Sequence, residues 1–86
     1  MSITAKVRTK YEVEYSWGTA YMHHHYEILA ELLEVDTIKM PYDWWIPTEI
    51  VEEAINKTDN KEIKEILKTW LELAANKDEG IYVDWF

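Results

Sequence analysis

An alternating stretch over residues 3–15 limits most strongly what this chain can fold into. Every second residue from Ile3 to Tyr15 is apolar, aromatic or β-branched, and the residues between them are mostly charged. A period of two is typical of a β-strand with one buried and one solvated face. We therefore expect one long strand over residues 3–15. Because strands in small domains are usually shorter, this one is expected to bend, to bulge, or to extend beyond the sheet and pair with another chain.

A first helix is predicted after this strand. Ser16 or Thr19 is expected to cap it, and apolar residues then recur at intervals of three and four up to Glu34. Trp17 is expected to pack the strand against this helix. A short strand over residues 37–40 follows in the prediction.

Two more helices are predicted in the second half of the chain. Pro47 and Thr48 are expected to begin the second, because proline is favoured in the first turn of a helix. After a break, Asp59 and Glu62 have the three-residue spacing of a capping box and are expected to begin the third. Its apolar stripe runs to Ala74, which indicates a helix packed on a core.

The segment 81–86, IYVDWF, is typical of a buried or half-buried strand. The order β-α-(β)-α-α-β predicts an α+β fold with three helices packed on one face of a small antiparallel sheet. At 86 residues the chain is predicted to form a single domain over residues 1–86, because a second domain would leave neither half a core. The first and last strands are expected to pair, with Trp70 and Trp85 in the core.

The composition excludes several classes of function. The chain has no cysteine, which excludes disulfides, thiolate zinc sites and cysteine nucleophiles and fits a cytoplasmic location. Its two glycines cannot form a glycine-rich phosphate-binding loop. No apolar run is long enough to span a membrane, and the N-terminal segment lacks the apolar stretch of a secretory signal. The net charge of −8 argues against direct binding of nucleic acid or of an anionic membrane.

The negative charge is concentrated in the middle of the chain. Residues 27–53 contain eight acidic residues and a single lysine, Lys39. Like charges three or four residues apart on a helix repel one another, so a sequence selected only for stability would intersperse lysines. Two interpretations are open: a solubilising surface, or a surface shaped for a basic partner. The residues predicted to bind such a partner are Glu27, Glu31, Glu34, Asp36, Asp43, Trp44, Trp45, Glu49, Glu52 and Glu53.

Two adjacent tryptophans lie inside this acidic block. Trp44 and Trp45 point to different sides of the backbone in either regular conformation, so at most one of them is expected to be well buried. The other is expected at the surface beside Asp43, where an aromatic side chain can anchor a protein interface. The alternative is a tryptophan that covers a small core.

Three consecutive histidines, His23, His24 and His25, form the most conspicuous motif. On a helix successive side chains point about 100° apart, so the three cannot converge on one metal ion. His23 and His24 are expected to lie over Glu27, three or four residues further on. His25 falls on the apolar stripe and is expected to be a neutral, hydrogen-bonded imidazole. Surface and core roles are therefore favoured over a metal site or catalysis.

The sequence thus predicts a small acidic, non-enzymatic module that binds a basic protein surface and needs no cofactor or metal ion. In its sharpest form, helical carboxylates stand in for phosphates and occupy the nucleic-acid groove of a nuclease or repressor. In size and charge the chain is similar to the anti-CRISPR and anti-restriction proteins by which mobile elements block host defence nucleases, although no motif is shared. One alternative is a structural or regulatory homodimer that pairs through residues 3–15. The second is a metal-dependent or acid–base enzyme that uses His23 or His24 with Glu27.

Overall fold

The computed structural model describes residues 3–10, 14–75 and 78–86. Within these residues, an antiparallel sheet of five strands carries three helices on one of its faces. This arrangement confirms the predicted α+β class. The elements in chain order are β1 (Thr4–Thr9), β2 (Glu14–Tyr15), β3 (Ala20–Tyr21), α1 (Met22–Leu32), β4 (Asp43–Pro47), α2 (Thr48–Lys57), α3 (Lys61–Leu73) and β5 (Gly80–Trp85).

The strands are arranged in the order β2-β1-β5-β4, and β3 also pairs with β1. All of these pairings are antiparallel. Val83 of β5 lies opposite Val7 of β1 on one side and opposite Trp44 of β4 on the other. The predicted pairing of the first and last strands is therefore confirmed, and β5 joins the two halves of the sheet.

The prediction of one long strand over residues 3–15 is wrong, because the chain turns back after Thr9. Lys10 adopts a left-handed backbone conformation with a φ of 45°. By Glu14 the chain runs antiparallel to β1, with Glu14 opposite Thr9. No glycine, proline or Asn-Gly pair marks this reversal, so the alternating pattern conceals it. The part of the predicted strand over residues 11–13 lies outside the described residues.

Neither Ser16 nor Thr19 caps α1, which begins at Met22. Both side chains instead hold the chain against the edge of β1. Ser16 Oγ accepts a hydrogen bond from the backbone N–H of Val7 over 3.0 Å. Thr19 Oγ1 donates one to the carbonyl oxygen of Ala5, also over 3.0 Å. The predicted caps are therefore wrong, because these hydroxyl groups satisfy the neighbouring strand rather than the helix end.

The short strand predicted over residues 37–40 is instead a turn. Asp36 Oδ1 accepts hydrogen bonds from the backbone N–H groups of Ile38 (3.0 Å) and Lys39 (3.3 Å). An aspartate that bonds the backbone two residues further on is a common way to stabilise a turn. The strand between α1 and α2 lies further along the chain, at Asp43–Pro47.

The second and third helices begin close to the predicted residues. Helix α2 starts at Thr48, as predicted. The cap of α3 is Asn60 rather than Asp59. Asn60 Oδ1 accepts hydrogen bonds from the backbone N–H groups of Glu62 (3.0 Å) and Ile63 (3.2 Å). Asparagine and aspartate cap helices about equally well, so the adjacent residues Asp59 and Asn60 were both able to begin α3.

Large aromatic side chains fill much of the core. Trp44 and Trp70 are almost fully buried and Trp85 is 3% exposed, which confirms the core positions predicted for Trp70 and Trp85. Tyr26, Trp44 and Trp85 form a cluster with ring centroids 5.1 to 5.2 Å apart. Such contacts add to the stabilisation that each ring contributes by burial. Trp17 is 67% exposed, so the prediction that it packs the strand against α1 is wrong.

Candidate partner-binding surfaces

The acidic residues predicted to bind a partner are all exposed, and seven of them lie on α1, on α2 or in the loop after α1. These seven, which we call the acidic surface, are Glu27, Glu31, Glu34, Asp36, Glu49, Glu52 and Glu53. Four ion pairs form among residues 3–10, 14–75 and 78–86, and none of them includes a member of the acidic surface. The charge of this surface is therefore not neutralised within the described chain.

The end of α1 carries one of these acids in an unusual backbone conformation. Glu34 has a φ of 58°. Its N–H donates to the carbonyl oxygen of Glu31 over 3.3 Å, and the N–H of Val35 donates to that of Ala30 over 2.9 Å. This pair of hydrogen bonds is a Schellman motif, in which the left-handed residue is usually glycine. A charged residue thus occupies a position that favours glycine.

A groove separates the end of α1 from the end of α2. Its volume is about 470 Å³, and we call it the α1–α2 groove. Ile28 is 48% exposed in it and Leu32 is half-buried, so apolar surface lies between the charged residues. The residues that line the groove are Ile28, Glu31, Leu32, Glu34, Lys57 and Thr58.

The acids of α2 are exposed on a helix whose last residue, Lys57, lines the groove. Glu49, Glu53 and Lys57 recur every four residues and therefore lie on one row of the helix. Lys57 ends this row and lines the α1–α2 groove. Glu52 is also exposed, about one turn from Glu49. The carboxylates that line the groove therefore come from α1 and the turn after it, Glu31 and Glu34, and α2 contributes Lys57.

The structure does not bring Asp43, Trp44 and Trp45 into the acidic surface. Trp44 is 1% exposed, and its Nε1 donates to the carbonyl oxygen of Met40 over 2.9 Å, so its side chain is not available to a partner. Asp43 and Trp45 alternate with it along β4 and lie on the sheet face opposite the helices. Trp45 is 43% exposed, which confirms that only one tryptophan of the pair is buried. The exposed aromatic side chain and the acidic surface are thus on different faces.

The face of the sheet that carries no helix holds a charged cluster that the sequence prediction missed. Arg8 forms a bidentate ion pair with Asp84, with Nε 2.6 Å from Oδ2 and Nη2 3.1 Å from Oδ1. Its guanidinium carbon lies 4.7 Å from the centroid of the Tyr82 ring. Asp84 is only 4% exposed, and Asp43 lies directly opposite it in the pairing of β4 with β5. We call this group the Arg8–Asp84 cluster.

The carboxyl groups of this cluster have pKa values shifted in opposite directions. Burial raises the pKa of Asp84, but the hydrogen bond and the charge of Arg8 outweigh burial, so that pKa lies below its usual value. A hydrogen bond to Asp84 raises the pKa of Asp43, as expected when two carboxyl groups share a site. The hydrogen bond to Asp84 also raises the pKa of Arg8.

Lys6 extends this open face toward Phe86. Lys6 Nζ lies 4.2 Å from the centroid of the Phe86 ring and donates a hydrogen bond to the Phe86 carbonyl oxygen over 2.6 Å. The Tyr15 ring packs edge-on against Phe86 with centroids 5.1 Å apart. Because Lys6 and Arg8 both have partners within the chain, this face differs in character from the unpaired acidic surface.

His25 is a buried residue with partners on both ring nitrogens. It is 8% exposed, and its Nδ1 accepts a hydrogen bond from the backbone N–H of Tyr21 over 3.0 Å. Its Nε2 contacts the carboxylate of Glu62. Because Nδ1 is an acceptor, the ring proton is assigned to Nε2, which donates to that carboxylate. The predicted hydrogen-bonded imidazole on the apolar stripe agrees with this arrangement.

His23 and His24 are exposed, with ring centroids 4.1 Å apart. Together with Glu27 they line a depression of about 370 Å³ beside α1. In the described part of the chain, no three histidine, aspartate or glutamate side chains are grouped so that they could hold a metal ion.

Comparison of the chain with protein-family models, with curated proteins and with solved structures gives no match. Among the described residues, no helix has both the length and the apolar character to cross a bilayer; the longest, α3, has 13 residues.

Proposed function

We propose that the protein is a non-enzymatic binding module whose acidic surface docks on a positively charged protein. The observation that supports this proposal is that seven exposed carboxylates on and beside two helices have no ion pair in the described chain. Unpaired charge of one sign accelerates encounter with a partner of opposite charge and disfavours other partners. The apolar strip of the α1–α2 groove adds the desolvated contact that charge alone does not supply.

In its sharpest form, the proposal is that the acidic surface imitates nucleic acid. Carboxylates one helical turn apart are separated by roughly 5–6 Å at their Cβ atoms. Glu27 and Glu31 on α1, and Glu49 and Glu53 on α2, therefore present negative charge in rows. A groove that binds rows of phosphates, as in a nuclease or a repressor, is the kind of surface that such rows would fill.

Charge reversal tests the proposal. The immobilised protein is used to capture partners from a lysate of the cells that express it, and the retained proteins are identified by mass spectrometry. We expect a protein with a basic nucleic-acid site to be retained, to be released by raised salt, and to be displaced by duplex DNA. Glu31→Lys combined with Glu52→Lys should abolish its retention.

A second pair of reversals controls for net charge. Asp59→Lys combined with Glu72→Lys changes the net charge by the same amount, at exposed positions just before and on α3. This control should retain the partner. Equal loss in both double variants, or retention that ignores salt and reversal, would refute the charge mechanism. A partner that resists displacement by DNA would refute the imitation of nucleic acid while leaving the binding module in place.

The two alternatives are constrained by geometry. Both edges of β1 are paired within the chain, with β5 on one side and with β2 and β3 on the other, so a second copy cannot add to this strand without displacing them. The depression lined by His23, His24 and Glu27 supports the enzymatic alternative. His23→Ala and His24→Ala therefore join the capture experiment. Retention equal to the wild type supports the acidic surface, whereas its loss would move the binding site to the histidines.

A further inference from the structure

We propose that the α1–α2 groove binds a short basic segment of the partner, with one apolar side chain on Ile28 and Leu32 and with arginine or lysine side chains beside Glu31 and Glu34. This inference rests on the proposed function and names the part of the partner that the acidic surface recognises.

The floor of the groove is apolar and open to solvent. Ile28 is 48% exposed, whereas its neighbour Leu29 is fully buried. Leu32 packs against the core, so the floor is continuous with the interior. A volume of about 470 Å³ lies in the range of ligand pockets and accommodates a large aliphatic side chain. Covering this floor removes apolar area from water and so favours an occupant with an apolar side chain.

The walls of the groove select for positive charge. Glu31 and Glu34 are exposed and have no ion pair among the described residues. The last turn of α1, which ends here, contains no basic residue, so the partial negative charge of the helix end is not compensated by its own side chains. Lys57 lies in the last turn of α2 and compensates that helix end instead. Within residues 3–10, 14–75 and 78–86, the α1 side of the groove therefore has no cation in its lining.

Two other occupants fit this charge pattern less well. A second copy of the chain would bring together two molecules of net charge −8 at their acidic surfaces. A nucleic acid would bring phosphates against the same carboxylates. In a cationic peptide segment with an apolar residue, the apolar side chain covers the floor of the groove and the cations lie beside the carboxylates of its walls.

Two synthetic peptides of equal charge provide the probe. RRLRR carries a leucine between arginine pairs, RRSRR carries a serine there, and both are blocked at each end. Each is titrated into the isotopically labelled protein while amide chemical shifts are followed by NMR. We expect RRLRR to shift the amide signals of Ile28, Leu32 and Thr58 and to bind about fivefold more tightly than RRSRR, because only leucine buries apolar surface. Equal affinities, no binding, or shifts that map outside the groove would overturn the proposal.

Matched variants assign the two parts of the groove. Ile28→Ser should abolish the difference in affinity between RRLRR and RRSRR, while both peptides keep the affinity that comes from their charge. Ile38→Ser is the control, because Ile38 is 92% exposed on the turn after α1 and does not line the groove; it should leave the difference intact. Persistence of the difference in Ile28→Ser would contradict the assignment. Glu34→Lys should weaken both peptides.

The peptide experiment and the capture experiment fail independently. If capture depends on the acidic surface but the peptides ignore the groove, the partner is bound elsewhere on that surface and only the present inference is wrong. If the peptides occupy the groove but capture survives charge reversal at Glu31 and Glu52, the proposed function is wrong instead.

Discussion

Glu34 occupies the position after α1 where helices usually have glycine, so Glu34→Gly is expected to stabilise the protein. Its φ of 58° brings Cβ close to the following carbonyl oxygen. A left-handed residue with a side chain costs roughly 1–2 kcal/mol relative to a right-handed one. The hydrogen bonds of the Schellman motif, donated by Glu34 and Val35, use backbone atoms alone and are therefore retained in the variant.

The net gain is smaller than the strain, because glycine loses more backbone freedom on folding. That loss amounts to about 0.4–1 kcal/mol. Subtracting it from the strain leaves a stabilisation of about 0.8 kcal/mol. Removing the repulsion between Glu34 and Glu31 adds a few tenths of a kcal/mol. In a domain of this size, a gain of about 1 kcal/mol raises the Tm by about 4–8 °C.

The measurement is thermal and urea unfolding followed by circular dichroism at neutral pH. Glu34→Ala is the control, because it removes the same carboxylate but keeps Cβ, and it should gain only the few tenths of a kcal/mol that come from lost repulsion. Equal unfolding temperatures for the glycine and alanine variants would refute backbone strain at Glu34. Both variants lose the same acid, so both should weaken binding of the basic peptides equally. The two variants would then differ in stability while they bind the basic peptides equally weakly.

Two further predictions concern the open face of the sheet. Arg8→Met removes the partner of the buried Asp84 carboxylate and should lower the free energy of unfolding by about 2 kcal/mol at neutral pH. This loss is smaller than for a fully buried pair, because the Arg8 side chain is 28% exposed. Because the pKa of Asp84 is lowered in the folded state, this stabilisation is present above the unfolded pKa of about 3.9 and is lost as the pH falls through the folded pKa. The urea midpoints of variant and wild type should therefore converge at acid pH, and a difference that is independent of pH would contradict the ion pair. Gly80→Ala would place a Cβ atom 2.7 Å from ring atoms of Trp45 and 2.9 Å from the backbone carbonyl oxygen of Ile46, and should destabilise the protein by about 1–3 kcal/mol. An unchanged urea midpoint would show that the ring and the strand both shift without cost.

Local sequence patterns predicted the helices and the alternation at Trp44 and Trp45, because both depend on residues close in the chain. Helix α3 was found through its apolar stripe, which the structure buries at Ile63, Ile66, Leu67 and Trp70. The strand β4 was missed because an aromatic residue, Trp45, lies on its open face. Its sequence therefore shows no alternation between polar and apolar residues.

The Arg8–Asp84 cluster was beyond local prediction for a different reason. Arg8 and Asp84 are 76 residues apart, and only the register of β1 with β5 brings them together. The available signals were an aspartate inside an apolar strand and cations on the polar side of β1. The α1–α2 groove depends in the same way on how two helices end beside each other. Both the cluster and the groove depend on how segments that are distant in the sequence lie beside each other, which residue type alone does not determine.

The position of β5 between β1 and β4 has a consequence for the order of folding. Val7 of β1 and Trp44 of β4 both lie opposite the same residue of β5, Val83. Contacts this distant in sequence require a large loop to close first, which slows folding. During synthesis the helices can form early, but β1 and β4 have no shared neighbour until β5 has left the ribosome. The local pairing of β1 with β2 and β3 does not need β5, but the joining of β4 to this part of the sheet is expected to be a late step.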